Sequence, residues 1–512
     1  MCFGFCSGDL KSNRLRSAAR LNSHKRPDIC AETLSEYTPI RLGLPVSRPT
    51  PLSRMFGWLL LLAVALFLRQ YFASPLRRIP GPFLYALTKW RLALDDLRAN
   101  RTRTIHALHT NYGPVVRVGS SELSFSSLSA LRIIYGAGSG FERTSFYRMF
   151  DVYGRQNLFT FAAVEEHSRR KKMLHHAYSK SAILNSARTS EAIRTRVQQA
   201  LKMIELAEGH KLEIYAVTLF YSLDNITHFL YGDIGATSAL TGNKTHQEML
   251  NDQRDPGRRR MAWFATHVKW YVRWLSRQSG AVERFLDAAG FFPQRKPWVY
   301  TGIRRHALKA YYDVKRSGIV DAETIIGRLQ GFGKELDDLD IASECADHLL
   351  AGINTTADTL LFAFWILSRP ENARMQQKVV KELRDANFGD PVPSSKALNM
   401  ANVPYFNAVL LEILRLYAPL PASEPRVHTR DVEIDGYLVP AGTVVSCQPY
   451  TLHRNLEVFH DPEAFLPERW LADDPELKRW WWAFSSGGRM CIGEQYGALM
   501  PLIFAPRRED IG

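Results

Sequence analysis

Phe484-Ser485-Ser486-Gly487-Gly488-Arg489-Met490-Cys491-Ile492-Gly493 is the stretch of this chain that decides its fold. Its cysteine lies in a glycine-rich loop, with an arginine two positions before it and a glycine two positions after it. Glycine lets the backbone turn and approach a flat ligand where a Cβ would clash. Loop amides that point at a sulfur stabilise the thiolate, and an arginine can pair with a carboxylate nearby. These are the groups that a thiolate-ligated haem requires of a protein.

The stretch resembles the haem-binding loop of cytochromes P450, whose pattern is Phe-x-x-Gly-x-Arg-x-Cys-x-Gly. The fixed positions of that pattern are all filled, by Phe484, Gly487, Arg489, Cys491 and Gly493. The resemblance implies that these residues bind haem b and that the Cys491 thiolate is the protein ligand of its iron.

A second motif lies within Ile341 to Leu367, which hydrophobic periodicity predicts as one long apolar helix. It reads Ala351-Gly352-Ile353-Asn354-Thr355-Thr356, where small residues let a ligand approach the helix axis and a threonine hydroxyl can hold water or donate a proton. It resembles the oxygen-binding helix of cytochromes P450, which implies catalytic roles for Thr355 and Asn354. The family usually has an acid at the position of Asn354, and an amide can orient water but cannot shuttle a proton.

A third motif is Glu412-Ile413-Leu414-Arg415, which puts an acid and a base on one helix face. Apolar flanks predict partial burial, and a buried pair needs a third partner to satisfy its hydrogen bonds. Arg469, in Pro467-Glu468-Arg469-Trp470, is the candidate. The resemblance implies that Glu412, Arg415 and Arg469 form a structural triad that serves folding and haem retention.

Three more residues are candidates for the haem propionates. Arg426 matches a family arginine that reaches one propionate by charge-assisted bonding. His167 stands in Glu166 to Lys172 where many members have Trp or His, and Lys171 stands where arginine is usual. Lysine binds a carboxylate as a point charge only. The resemblance assigns all three residues to cofactor binding.

The chain also carries a candidate membrane anchor over residues 55–72. Met55 to Leu68 is free of charge, Arg69 can snorkel to the interface, and Arg77-Arg78 follow, which favours the cytosolic side for what comes next. A buried helix or a signal peptide is the alternative for this apolar stretch. Residues 73–83 contain Pro80-Gly81-Pro82, a stiff turn like the hinge after the anchor in P450s of the endoplasmic reticulum. We therefore expect a single-pass protein of the endoplasmic reticulum membrane with a cytosolic catalytic domain.

The two ends of the chain depart from this pattern. Residues 1–54 hold nine basic and four acidic residues without apolar periodicity, which predicts a disordered basic extension. That segment is either an appended tail or upstream sequence joined to a chain that begins at Met55. The haem domain is expected over 84–512, and its last dozen residues, with Pro501 and Pro506, predict a truncated C-terminus.

Composition narrows the classes of partner. The chain has 512 residues, a formal charge of +15 and an ordinary hydrophobic fraction of 46%. A basic balance suits nucleic acid, an anionic membrane surface or an acidic protein, but the sequence has no zinc-finger spacing and no phosphate-binding loop, so we expect no nucleic acid partner. Six cysteines are too few for a disulfide framework in a chain of this length, and a buried structural role is expected for Cys345 and Cys447.

Taken together, the motifs predict a mainly α protein with small β regions, the cytochrome P450 fold preceded by a transmembrane helix. The resemblance, of the fungal secondary-metabolism type, implies a monooxygenase that inserts one oxygen atom of O2 into an apolar small molecule. Its electrons are expected from NADPH through NADPH-cytochrome P450 reductase, and its other partner is the lipid bilayer. Two alternatives stay open: a P450-like isomerase or dehydratase without O2 activation, and an inactive truncated membrane protein.

Overall fold

The computed structural model describes residues 51–207, 209–251, 256–277, 279–291, 302–386, 403–472 and 474–497. The chain divides between residues 73 and 74 into two compact units. The predictions for residues 1–50 and 498–512 lie outside the described residues.

The described part of the first unit is one helix, α1 (Pro51–Phe72), of 22 residues. It begins four residues before the predicted anchor and extends about 33 Å at 1.5 Å per residue. Apolar side chains such as Trp58, Leu62 and Leu66 are exposed on it. That this helix lies in a membrane stays a prediction.

The second unit is mostly helical, as expected. Its helices are, in chain order, α2 (Phe83–Leu87), α3 (Trp90–Leu97), α4 (Arg101–Tyr112), α5 (Leu128–Tyr135), α6 (Val164–Leu174), α7 (Lys180–Asn185), α8 (Ala187–Glu205), α9 (Ile214–Gly235), α10 (Lys244–Glu248), α11 (Pro256–His267), α12 (Lys269–Ser276), α13 (Gly280–Ala288), α14 (Gly302–Ser317), α15 (Ile325–Gln330), α16 (Asp338–Leu367), α17 (Ala373–Asp385), α18 (Pro404–Leu416), α19 (Pro449–Leu452) and α20 (Pro475–Trp480). Short 3-10 turns lie at Pro75–Arg78, Ser145–Phe150, Pro370–Asn372, Pro467–Trp470 and Gly487–Arg489.

The longest helix, α16, forms the centre of this unit and has its most extensive contact with α9. It begins three residues before the predicted start because Asp337 and Asp340 form a reciprocal capping box at its N-terminus. By length and composition α16 could also cross a membrane. One face of it is buried within the protein, however, because Cys345, Leu349 and Ile353 are 0% exposed. It is therefore the core helix of this unit.

The strands form a five-stranded sheet of order β1-β2-β7-β4-β3 and a separate hairpin, β5-β6. The pair β2-β7 is parallel, whereas the other pairs in both sheets are antiparallel. Their bounds are β1 (Val115–Gly119), β2 (Glu122–Phe125), β3 (Glu142–Arg143), β4 (Arg426–Val427), β5 (Val432–Ile434), β6 (Tyr437–Val439) and β7 (Val444–Ser446).

A tight turn interrupts the alternating residues Val432 to Tyr437, because Asp435 and Gly436 have φ of 50° and 79°. A left-handed Asp-Gly pair is the favoured two-residue hairpin turn, so the chain reverses there and forms β5 and β6.

A second apolar core lies beside the sheet and leads towards the cysteine loop. It includes Phe125 and Val445 from the sheet and Trp470, Trp480 and Trp482 from the segment before the loop. The rigid sheet thus supports the chain immediately before residue 484.

Candidate active site

The loop of residues 484–493 is held in one conformation by its own backbone. The Cys491 amide donates to the Phe484 carbonyl at 2.9 Å, and the Met490 amide donates to the Gly487 carbonyl at 3.2 Å. Gly487 has φ of +66°, and a Cβ there would collide with the carbonyl oxygen of Tyr135. Any larger residue at 487 would therefore push the loop away from α5.

Cys491 is an exposed residue, and its sulfur lies among the surrounding protein atoms of the loop. Burial raises the pKa of its thiol to about 11, although a hydrogen bond from the Gly493 amide acts in the opposite direction. Lys171 is close enough for its charge to lower the same pKa. A metal ion at the sulfur would displace the thiol proton, since a coordinating thiol is deprotonated.

Two basic side chains fasten this loop to the segment around α6. Arg489 donates to the carbonyl oxygens of Phe161 and Ala162 at 2.9 and 2.6 Å. Lys171 donates to the carbonyl oxygens of Gly488 and Met490 at 2.9 and 3.3 Å. The partners of both side chains here are backbone carbonyls, and their predicted contacts with carboxylates stay predictions.

Around the loop lies a cluster of like charges, which we call the cationic cluster and define as Arg143, Lys171, Arg426 and Arg489. The pKa of Arg489 is lowered to about 9, chiefly by burial and then by the positive charges of Arg143 and Arg426. The pKa of the buried His167 is lowered to about 2, chiefly by burial and then by the positive charges of the four members of the cluster. This imidazole is therefore neutral.

Among the described residues, Glu424 is the only carboxylate within ion-pair distance of this cluster. Arg426 is buried, pairs with Glu424 at 3.2 Å and donates to the Tyr147 hydroxyl at 2.8 Å. Arg143 donates to the Leu158 carbonyl at 2.7 Å and is itself buried. Buried cations that outnumber their counterions destabilise one another. The cluster therefore fits a ligand that carries carboxylates, and together with the Cys491 sulfur it fits a haem with its two propionates.

The helix α16 presents an open stripe opposite its buried face. Ala351 is exposed although it lies at the middle of this core helix, and Asn354, Thr355 and Asp358 are half-buried. The Thr355 hydroxyl donates to the Ala351 carbonyl at 2.7 Å, which is the back-bond available to a helical threonine. This stripe contains both predicted catalytic residues.

The prediction for Gly352 needs a correction. The small residue was expected to let a ligand approach, but a Cβ at 352 would lie 2.7 Å from the Ile226 side chain of α9. Gly352 therefore allows α16 and α9 to pack closely, and only Ala351 of the pair faces the open side.

The three residues of the expected structural triad meet in the interior. Glu412 accepts from Arg415 Nη2 and Nε at 2.7 and 2.8 Å and from Arg469 Nε at 3.1 Å. It also accepts from Trp470 Nε1 at 2.8 Å, a contact that the sequence did not indicate. Arg415 donates further to the carbonyls of residues 453, 462 and 464. Each charge is thus paired and hydrogen-bonded, which is what makes a fully buried ion pair tolerable.

Comparison with known proteins indicates the same protein family as the sequence of the cysteine loop. A sequence model described as Cytochrome P450 matches residues 80–505. This chain belongs to the cytochrome P450 family. It is 31% identical over 465 residues to cytochrome P450 monooxygenase aflV of Aspergillus parasiticus, covering 86% of this chain and 85% of that protein.

Two other fungal relatives are similar over a comparable length of the chain. Cytochrome P450 monooxygenase stcB of Emericella nidulans is 27% identical, covering 84% of this P450 and 81% of its own length. Cytochrome P450 monooxygenase cypX of Dothistroma septosporum is 28% identical, covering 85% and 84% respectively. The chain is therefore an oxidoreductase of the P450 monooxygenase family, and the family implies a haem-thiolate iron cofactor.

Sequence reasoning missed one network of this P450, which joins α6 to α16. Arg170 and Glu344 form a buried ion pair at 2.5 Å, and Glu344 also accepts from the Leu158 amide. His348 Nε2 lies 3.2 Å from Glu344, and its Nδ1 is 2.7 Å from the Tyr178 hydroxyl. The available signal was an acid at 344 between the apolar and small residues Ile341, Ala342 and Cys345, because a buried charge there needs a partner.

Proposed function

We propose that this P450 is a haem-thiolate monooxygenase that inserts one oxygen atom of O2 into an apolar small molecule. The observation that carries the proposal is the exposed residue Cys491, whose sulfur lies next to Gly493 and beside the cationic cluster. A sulfur alone would suit many metals, and cations alone would suit many anions. Their combination supports an iron porphyrin that carries carboxylates as the ligand.

The residues of the chain have separate tasks in this proposal. Bound haem supplies the iron at which O2 is activated, with electron density supplied by the thiolate. Arg426 binds a propionate as a charge-assisted donor, and Arg489 and Lys171 fix the cysteine loop while their charges favour the same carboxylates. Thr355, on the open stripe of α16, orients water next to the reacting oxygen.

Electrons are proposed to come from NADPH through NADPH-cytochrome P450 reductase. The net charge of +15 suits docking of an acidic partner. The fungal monooxygenases to which the chain is similar support a role in secondary metabolism, with an apolar metabolite as substrate. That metabolic assignment rests on analogy with relatives.

Labelled oxygen tests this function directly. With reductase, NADPH and 18O2, we expect one 18O atom in the organic product and one in water for each NADPH consumed. The measurement is mass spectrometry of the product against NADPH oxidation. Conversion of a substrate without NADPH or O2 consumption would instead identify an isomerase or dehydratase.

We further propose that α1 anchors the protein in the endoplasmic reticulum membrane by a single pass, with the body in the cytosol. The apolar helix and the basic pair Arg77-Arg78 after it support this orientation. The body adds support of its own, since α12 exposes Trp270 (71%) and Trp274 (44%) beside Lys269, Arg273 and Arg277. Exposed tryptophans among cations suit the interface of an anionic bilayer.

The double substitution Leu62→Lys with Leu66→Lys is expected to release the full chain from microsomes in an alkaline carbonate wash. Each lysine near the centre of a span costs about 3 kcal/mol of insertion free energy. The matched control is Leu438→Lys with Leu456→Lys, two exposed leucines of the body, which should leave the protein in the membrane pellet. Equal release of both variants would count against an anchor at 55–72.

A further inference from the structure

The open stripe of α16 carries a carboxylate that the sequence motif did not predict. Asp358 lies four positions after Asn354 and three after Thr355, and both spacings make neighbours on a helix surface, with Cβ atoms about 5–6 Å apart. Its side chain is half-buried, on the same side of the helix as Ala351. An acid is therefore present one turn beyond the place where the amide of Asn354 stands.

Asp358 is held by a residue of another helix. The Tyr215 hydroxyl of α9 donates to Asp358 Oδ1 at 3.2 Å. Burial raises the pKa of the carboxyl to about 6, and the Tyr215 hydrogen bond lowers it in part. The group thus exchanges its proton near neutral pH, and the hydrogen bond fixes its orientation on the stripe.

We propose that Asp358 supplies protons to the oxygen reaction through water held by Thr355, in place of a carboxyl at position 354. The assignment rests on the proposed monooxygenase function. The Asp358 carboxyl passes one proton through water to the oxygen being reduced, regains a proton from solvent and passes on a second, so that the two protons of the released water are both accounted for. Electrons come from NADPH through the reductase, so that O2, two electrons, two protons and substrate RH give ROH and H2O.

The other acids of α16 are less suited to this task. Asp347 also lies on the open stripe but eight residues before Thr355, about 12 Å along the helix axis. Glu344 is committed to Arg170 and to the Leu158 amide. Among the described acids of α16, only Asp358 neighbours Asn354 and Thr355 directly on the helix surface.

The test uses the haem-loaded full chain with reductase and NADPH and without added substrate. Reduction of O2 then gives water, consuming two NADPH, or hydrogen peroxide, consuming one. Asp358→Asn is expected to lower the ratio of water to peroxide by roughly tenfold or more, since a positioned acid contributes about 10²–10⁴-fold to proton transfer. Asp358→Glu and the double variant Asn354→Asp with Asp358→Asn should each restore the ratio, and Asp347→Asn should match the parent.

The oxygen-reduction experiment can contradict the role of Asp358 in three ways. A parent-like ratio in Asp358→Asn, an equal fall in Asp347→Asn, or a fall that neither restoring variant reverses would each overturn the proposal. The last of these would show that Asp358 serves structure through Tyr215.

An infrared titration adds a measurement that does not depend on turnover. Burial also raises the pKa of Asp347, to about 7, so the titration is recorded in the Asp347→Asn background. The carboxylic-acid C=O band that disappears there as the pH rises through about 6 should be lost when Asp358→Asn is added. Its persistence in that variant would overturn the assignment even in a protein that reduces no O2. A parent without NADPH-driven O2 reduction but with this band would count against the proposed function alone.

Discussion

Cys491→Ala is expected to abolish NADPH-driven oxygen reduction, down to the background of the reductase alone. The sulfur is the sole cysteine ligand that the loop of residues 484–493 can offer, and the Gly493 amide is already directed at it. Without the thiolate, iron loses the electron density that favours O–O cleavage. Any haem that still binds should show the reduced-CO spectrum of a haem without thiolate ligation.

Cys345→Ala and Cys447→Ala are the matched controls for this prediction. Both cysteines are fully buried in apolar surroundings, and burial raises the pKa of each thiol. Such thiols behave as small apolar side chains. Both variants should therefore keep the spectrum and the turnover of the parent. Loss of the thiolate-type spectrum in a control but not in Cys491→Ala would contradict the ligand assignment.

Glu412→Gln is expected to destabilise the folded protein by about 3–5 kcal/mol, because it leaves Arg415 buried without its counterion. The amide has the shape of the carboxylate, so no cavity contributes. Glu412 and Arg415 are both 0% exposed, and Glu412 also accepts from Arg469 and Trp470. The free energy of unfolding in urea measures the cost, and faster haem loss should accompany it.

An exposed ion pair provides the comparison. Asp313→Asn removes the partner of Lys309 and of Arg316, whose side chains are 73% and 71% exposed, and surface pairs contribute about 0–1 kcal/mol each. A cost for Glu412→Gln no larger than that for Asp313→Asn would show that the buried network does not stabilise the fold.

What the sequence predicted well was local. The cysteine loop, the helix around Thr355 and the pair Glu412 and Arg415 depend on residues a few positions apart, so their spacing carries the geometry. Asp358 was not predicted, although its spacing from Asn354 and Thr355 can be read from the sequence. Its hydrogen bond to Tyr215 cannot be read in this way, since those residues lie 143 positions apart.

What the sequence did not predict depended on contacts between distant segments. Arg143 joins the cationic cluster only because β3 pairs with β4, which carries Arg426. Arg170 meets Glu344 because α6 packs beside α16. The role of Gly352 was misjudged for the same reason, since the neighbour that requires a glycine, Ile226, belongs to α9.

The reduced-CO difference spectrum of the full chain tests the central claim most directly. If Cys491 ligates haem iron as a thiolate, the reduced protein under carbon monoxide will show the Soret band characteristic of a haem-thiolate, and Cys491→Ala will remove it. A full chain that binds haem but shows the band of a histidine-ligated or unligated haem would contradict the account.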